Sequence, residues 1–158
     1  MEGIIKPFIE TSPKNTLQNE NNDKAFAEPL VDFTKGDDAL FEAYKDPVGP
    51  FYMTPWEVFA AILRDMNIKA EDLTVISWVL PYILSTKADN RKESFYPAES
   101  WARARIFSEV VNVKLRNHEL QTLEAKGFHA IAPVLIPQFR MRSATGIHRF
   151  RKRDHVKS

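Results

Sequence analysis

The residues best suited to bind a small anion or an amide follow the longest apolar run of the chain. Asn90 and Arg91 lie in the charged stretch 87–94, after the apolar run 73–80. A guanidinium can form two hydrogen bonds with a phosphate or a carboxylate, and an asparagine amide can pair with a base or another amide. Ligands of open α/β sheets gather beyond the carboxyl ends of the strands. The stretch 87–94 is therefore the candidate binding loop, and a merely solvated charged loop is the alternative.

Catalytic and metal chemistry finds little support in the residue types. The chain has no cysteine, which excludes disulfides, thiolate catalysis and cysteine-ligated zinc or iron–sulfur sites within it. No two of the four histidines are spaced four positions apart, whereas a zinc site needs three or four well-placed ligands. The five glycines never lie within six positions of one another, so neither a dinucleotide-binding loop nor a P-loop can be drawn. We predict no catalytic residue, no metal site and no cofactor in this chain alone.

A basic segment ends the sequence. Residues 140–158 hold seven Lys and Arg against one acidic residue, whereas residues 1–139 hold 15 against 20. Arg149, Phe150 and the run 151–153 form a basic and aromatic patch of the kind that contacts nucleic-acid backbone. A solvated tail is the alternative.

Two helices are indicated by their start and stop signals. Thr54-Pro55-Trp56-Glu57 combines an N-cap, a proline at the first helical position and a capping box, which predicts a helix over 55–67. A second, long helix begins at Tyr96-Pro97 and ends before Gly127. At 100° per residue this helix has a broad and a narrow apolar face, so the narrow face is either buried or meets a partner. The broad face comprises Trp101, Ala104, Phe107, Val111, Leu115 and Leu123, and the narrow face comprises Ile106, Val113 and Leu120.

Two apolar runs predict the sheet. Residues 73–80 are rich in β-branched side chains and almost continuously apolar, which is typical of a strand buried on both faces. Residues 128–134 follow the long helix at the distance of a β-α-β unit, whose parallel pairing is right-handed. The predicted fold class is therefore α/β, with a small sheet of parallel strands joined by a long helix and helices packed on the sheet.

The chain has the length of one domain, at 158 residues. We predict a polar N-terminal arm over 1–24, because 11–24 is rich in Asn and other polar residues. Residues 25–139 are predicted as the α/β domain and 140–158 as a basic tail, disordered or altered. Within the domain, 25–53 is expected to wrap irregularly with one short helix near 38–45. The longest apolar run falls short of a bilayer span and the N-terminus lacks secretory features, so a cytoplasmic protein is expected.

An ordered series of short motifs runs from about Ala27 to Gln138. Its members are Glu28-Pro29-Leu30-Val31, Asp37-Asp38, Leu40-Phe41, Tyr44-Lys45, Gly49-Pro50-Phe51, Thr54-Pro55, Val75-Ile76-Ser77-Trp78-Val79-Leu80-Pro81, Asn90-Arg91, Tyr96-Pro97, Trp101-Ala102, Arg105, Phe107, Asn112, Leu115-Arg116, Gly127 and Ala130 to Pro133. Together they resemble the N-terminal half of epoxyqueuosine-reductase-like proteins, a family also described as 4Fe-4S ferredoxin-domain proteins.

This resemblance implies an α/β domain that leads into a ferredoxin-like domain with two cysteine-ligated 4Fe-4S clusters. In some members cobalamin lies between them, and the reaction is a reduction of a modified tRNA base. The present sequence carries no cysteine and departs from the family pattern after about Arg142. The resemblance therefore implies ligand-binding roles for Asn90, Arg91 and Arg105, and no catalytic role.

Two functions from different classes are expected. The first is a truncated or standalone N-terminal domain of an epoxyqueuosine-reductase-like iron–sulfur oxidoreductase, without reductase activity on its own, that self-associates or docks through an exposed apolar face. The second is an RNA- or partner-binding module that uses the basic tail and the narrow face of the long helix. An enzyme acting on a small substrate near 86–92 is least favoured, because no nucleophile, metal set or coupled acid–base pair emerges.

Overall fold

The computed structural model describes residues 2–64 and 66–135. The predicted basic tail, 140–158, lies outside these residues. In chain order the elements are α1 (Glu2–Thr11), β1 (Leu30–Lys35), α2 (Ala39–Ala43), α3 (Lys45–Val48), α4 (Pro55–Ile62), a 3-10 turn (Ala70–Asp72), β2 (Thr74–Val79), α5 (Leu84–Lys92), α6 (Glu99–Ala125) and a second 3-10 turn (Pro133–Leu135).

The sheet is antiparallel, so the predicted parallel pairing is wrong. β1 pairs with β2 in a register that runs from Leu30 opposite Val79 to Lys35 opposite Thr74. The predicted parallel partner, 128–134, contains no strand and enters the second 3-10 turn. Pro133 in that segment has no backbone N–H to give to a ladder. Pro29 and Gly36 favoured an irregular wrapping segment in the sequence. In the structure they flank β1, the strand that pairs with β2.

Among the described residues, one face of β2 packs against the core and the other is largely exposed, which corrects the expected burial of both faces. Ile76 and Trp78, with Val31 of β1, pack against the buried core. On the opposite face the cross-strand pair Leu30 and Val79 is 66% and 60% exposed. Alternation of side chains along a pleated strand produces this division. The apolar composition of β2 therefore exceeds the burial that the described residues provide.

Helix α6 confirms the prediction of a long helix with a buried broad face. Gly127 ends it with φ of 83°, a left-handed conformation that glycine adopts without steric cost. Ala104, Val111 and Leu115, all on the broad face, are completely buried. None of the helices among the described residues has both the length and the apolar character that a membrane crossing requires.

The N-terminal segment supplies much of the core. Ile5 and Ile9 of α1 are buried together with Leu17, in one cluster with the broad face of α6. The Asn15 side chain is buried and donates to the carbonyls of Ile9 (3.0 Å) and Phe26 (3.1 Å), while it accepts from the Phe26 N–H (2.8 Å). The division into arm, domain and tail stays a prediction. In the structure α1 and Leu17 pack with α6, and the Asn15 side chain satisfies backbone groups inside this core.

The capping box at Thr54 is confirmed, and α4 ends at Ile62, earlier than the predicted 67. The Thr54 hydroxyl accepts from the Glu57 N–H at 3.3 Å, and the Glu57 carboxylate accepts from the Thr54 N–H at 2.8 Å. The short helix predicted near 38–45 corresponds to α2, which Asp38 caps, followed directly by α3. The stretch 87–94, predicted as a loop, lies mostly in α5.

Candidate functional site

Asn90, the first predicted binding residue, holds the start of α6. It lies in the last turn of α5, and its Oδ1 accepts a hydrogen bond from the Ala98 N–H at 3.1 Å. Ala98 is the buried N-cap residue of α6 and offers no side-chain cap of its own. The Asn90 oxygen therefore satisfies one of the backbone donors that a helix start leaves without a partner.

Arg91 and Arg105, the other two predicted binding residues, do not join Asn90 in one site. Arg91 is exposed and forms no hydrogen bond or ion pair with any residue that the structure describes. The Arg105 guanidinium lies 5.7 Å from the centre of the Trp101 ring, at cation–π distance. Arg105 follows Ala98 by seven residues, which is a rise of about 10 Å along α6. The ligand-binding roles that the resemblance implies for Asn90, Arg91 and Arg105 stay a prediction.

A polar hollow of about 380 Å³ lies where α5 meets α6. Two ion pairs line it: Lys92 pairs with Asp89 at 3.2 Å, and Arg103 pairs with Glu99 at 2.7 Å. Arg103 also donates to the Gln18 carbonyl at 3.0 Å. Asp89 and Lys92 belong to the stretch that the sequence indicated, but the contact with Gln18 joins positions 85 residues apart and has no local sequence signal.

A second, open hollow of about 660 Å³ lies between α3 and α4. Lys45 bridges Glu57 at 2.8 Å and Glu42 at 3.0 Å. The hydrogen bond from Lys45 lowers the pKa of Glu57, and the hydrogen bonds to Glu57 and Glu42 raise the pKa of Lys45. Burial raises the pKa of the nearby Tyr52 phenol. A lysine held in its charged form is a poor nucleophile or base, so this cluster is suited to fixing α4 against α3.

Glu119 is a buried carboxyl group on the core side of α6 that the sequence analysis missed. It is 4% exposed, and neither carboxyl oxygen has a hydrogen-bond partner among the described residues. Burial raises its pKa, against the opposing influence of the adjacent His118. The His118 ring stacks on Phe8 of α1 at 4.8 Å. Because Glu119 follows Leu115 by four positions, the same helical spacing that identified the broad face places it there.

Several large apolar side chains are exposed to solvent. Ile106 and Val110 lie about 200° and 240° around α6 from the buried Ala104 and are 69% and 46% exposed. We call this pair the outer helix face. Phe95 and Tyr96, at the turn between α5 and α6, are also exposed, with their rings edge to face at 4.6 Å. Of the predicted narrow face, Ile106 is the most exposed, while Val113 and Leu120 are half-buried.

The arrangement is therefore better suited to binding than to catalysis. The basic side chains in both hollows are paired with carboxylates, whereas apolar side chains on α6 and on the sheet face solvent. Comparisons with protein-family models, with curated proteins and with solved structures give no match for this chain.

Proposed function

We propose that this chain is the docking domain of an epoxyqueuosine-reductase-like iron–sulfur oxidoreductase, cytoplasmic and without reductase activity on its own. The ordered motifs between residues 27 and 138 support the family, and the outer helix face supports the docking role. In this proposal the 4Fe-4S clusters, and cobalamin where it is used, belong to the polypeptide that docks. The observation that carries the proposal is the exposure of Ile106 and Val110 on the side of α6 opposite the core.

The physical reason is the cost of leaving these side chains in water. Contiguous exposed apolar side chains mark surfaces that bind other proteins. Ile106 and Val110 are spaced four residues apart on a rigid helix, so a complementary surface could cover both at once.

The proposal is tested by measuring binding of the full chain to a cluster-bearing domain. The probe is the separately produced, reconstituted two-cluster ferredoxin-like domain of an epoxyqueuosine-reductase-like protein. Calorimetry should show a 1:1 complex, and Ile106→Lys should weaken it about tenfold or more, equivalent to roughly 1.4 kcal/mol. Gln121→Lys is the matched control, because it adds the same charge at an exposed position on the same helix. No binding, or equal loss with both variants, contradicts the proposal.

An RNA-binding module is the competing proposal. It places RNA on the basic tail, 140–158, which lies outside the described residues, together with the narrow face of α6. Phosphate contacts release counterions, so such binding weakens steeply with salt. Removal of residues 143–158 would abolish salt-dependent binding of a single-stranded RNA if this proposal holds, and would leave the cluster-domain complex intact if the docking proposal holds.

A further inference from the structure

The backbone of the two-stranded sheet has one closed edge and one open edge. The Gly36 N–H donates to the Leu73 carbonyl at 2.9 Å, in the same register as the strand pairs. In an antiparallel ladder the hydrogen-bonded pairs alternate. The backbone groups of Leu30, Asp32 and Thr34 therefore form the hydrogen bonds to β2. On β2, the N–H and C=O groups of every second residue point away from β1. These outward residues are Thr74, Ile76 and Trp78.

The edge of β1 is closed by its own neighbours. The outward N–H of Phe33 donates to the Asp32 carboxylate at 2.8 Å. The outward carbonyl of Lys35 accepts from the Asp38 N–H at 3.2 Å. A third strand that paired along the whole length of β1 would have to displace both contacts.

The edge of β2 has no such protection. Within the described ranges, the outward backbone groups of Thr74, Ile76 and Trp78 form no hydrogen bond. Natural proteins blunt exposed edges with charged residues, proline or bulges. β2 reads Thr-Val-Ile-Ser-Trp-Val, without charge or proline, and pairs with β1 without a bulge. An edge of this kind is suited to pairing with another strand.

We propose that the outer edge of β2 pairs with the same edge of a second copy of this chain, forming a four-stranded antiparallel sheet in the order β1-β2-β2-β1. With Ile76 opposite Ile76 of the second copy, Thr74 falls opposite Trp78, so every outward residue finds a partner. The absence of charge on β2 removes like-charge repulsion across the two-fold axis. The closed β1 edges, with Asp32 and Lys35, then become the outer edges of the combined sheet. This inference uses a surface other than the outer helix face and goes beyond the proposed function.

The test is the mass of the full chain in solution, measured by sedimentation velocity over a range of concentrations. The unmodified chain should dimerise, and Thr74→Pro should convert it to a monomer. Thr74 is exposed, its N–H points outward, and Leu73 before it is extended at φ −89° and ψ 142°. Proline fits such a position, because it removes no bond within the sheet and needs an extended predecessor. Circular dichroism confirms that the variant is folded.

Two further measurements distinguish edge pairing from other association. Leu30→Lys places a charge on the exposed face of β1 and should leave the dimer intact, whereas face-to-face packing of sheets would be lost. The amide hydrogens of Ile76 and Trp78 should exchange more slowly as the chain concentration rises. A monomer at all concentrations, a dimer that survives Thr74→Pro, or a dimer lost with Leu30→Lys overturns the inference. Each of these outcomes leaves the binding test at Ile106 unaffected.

Discussion

The helical region and the sheet region of this chain differ sharply in how far they bury their apolar side chains. The helical region, formed by α1, α6 and residues 12–26, contains nearly all of the completely buried core, including Ile5, Ile9 and Leu115. The sheet region, formed by residues 30–79, has no buried residue in α2, α3 or α4. A region that keeps apolar side chains in water gains little hydrophobic stabilisation from folding alone. The contrast indicates that the helical region provides most of the stability of the fold, whereas the sheet region leaves much of its apolar surface exposed.

The largest expected loss of stability comes from a substitution in the helical region. Leu115→Ala removes a completely buried side chain from the cluster between α1 and α6, and should lower the free energy of unfolding by about 2–5 kcal/mol. The matched variant Leu40→Ala, in the sheet region, changes a side chain that is 59% exposed and should cost about 0.5 kcal/mol or less. Urea unfolding followed by circular dichroism measures both. Equal losses would show that the two regions do not differ in packing.

A second prediction concerns the buried Glu119. Burial raises its pKa above the ordinary 4.5, so the folded chain holds a proton that the unfolded chain releases. The stability from this proton is complete below about pH 4.5 and is lost as the pH rises through the raised pKa. Glu119→Gln should therefore stabilise the chain at pH 7, by about 1–3 kcal/mol, because burying a neutral amide costs less than burying a charged carboxylate that has no partner.

Urea unfolding between pH 4 and pH 8 measures this effect. The gain from Glu119→Gln should grow with pH and should be smallest at pH 4. Glu124→Gln, at an exposed position on the same helix, should show neither the gain nor the pH dependence. A loss of stability at pH 7 in Glu119→Gln would contradict the account, because it would mean that the charged carboxylate is favoured in the fold.

The third prediction concerns the N-cap of α4 in the sheet region, and its expected change in stability is the smallest of the three predictions, control variants aside. Thr54→Ala removes the side-chain oxygen that caps α4 and should cost about 1 kcal/mol, a typical value for an N-cap. The loss should appear first as faster amide exchange at the start of α4, with little change in the helical region. A loss as large as that of Leu115→Ala would show that α4 is part of the cooperative core.

The sequence predicted those elements whose signals are local. The long helix and the capping box at Thr54 follow from spacing and cap residues within a few positions. β1 was missed because Pro29 and Gly36 at its ends suggested an irregular segment, and because its partner was sought at 128–134. The burial of Asn15 could not be predicted, since its hydrogen bonds satisfy backbone groups of Ile9 and Phe26 that only the folded chain brings together.

The candidate site was less predictable than the fold. Asn90 and Arg91 were singled out as ligand-binding residues, and that role stays a prediction; in the structure the amide oxygen of Asn90 bonds to the start of α6. Arg105 lies about 10 Å along α6 from Ala98, the residue that Asn90 contacts. The outer helix face was indicated by Ile106 of the narrow apolar face. Helical spacing predicts which side chains share a face, but it does not predict whether another part of the protein covers that face.

The most direct test of the division into two regions is native-state hydrogen exchange on the dilute, monomeric chain, resolved by residue. Helices α1 and α6 should exchange only through global unfolding, at the free energy measured by urea. The amides of α4 should exchange through much smaller openings, and the outward amides of Ile76 and Trp78, which form no hydrogen bond with the described residues, should exchange with little protection. Uniform protection across both regions would contradict the account, because the sheet region would then be as firmly packed as the helical region.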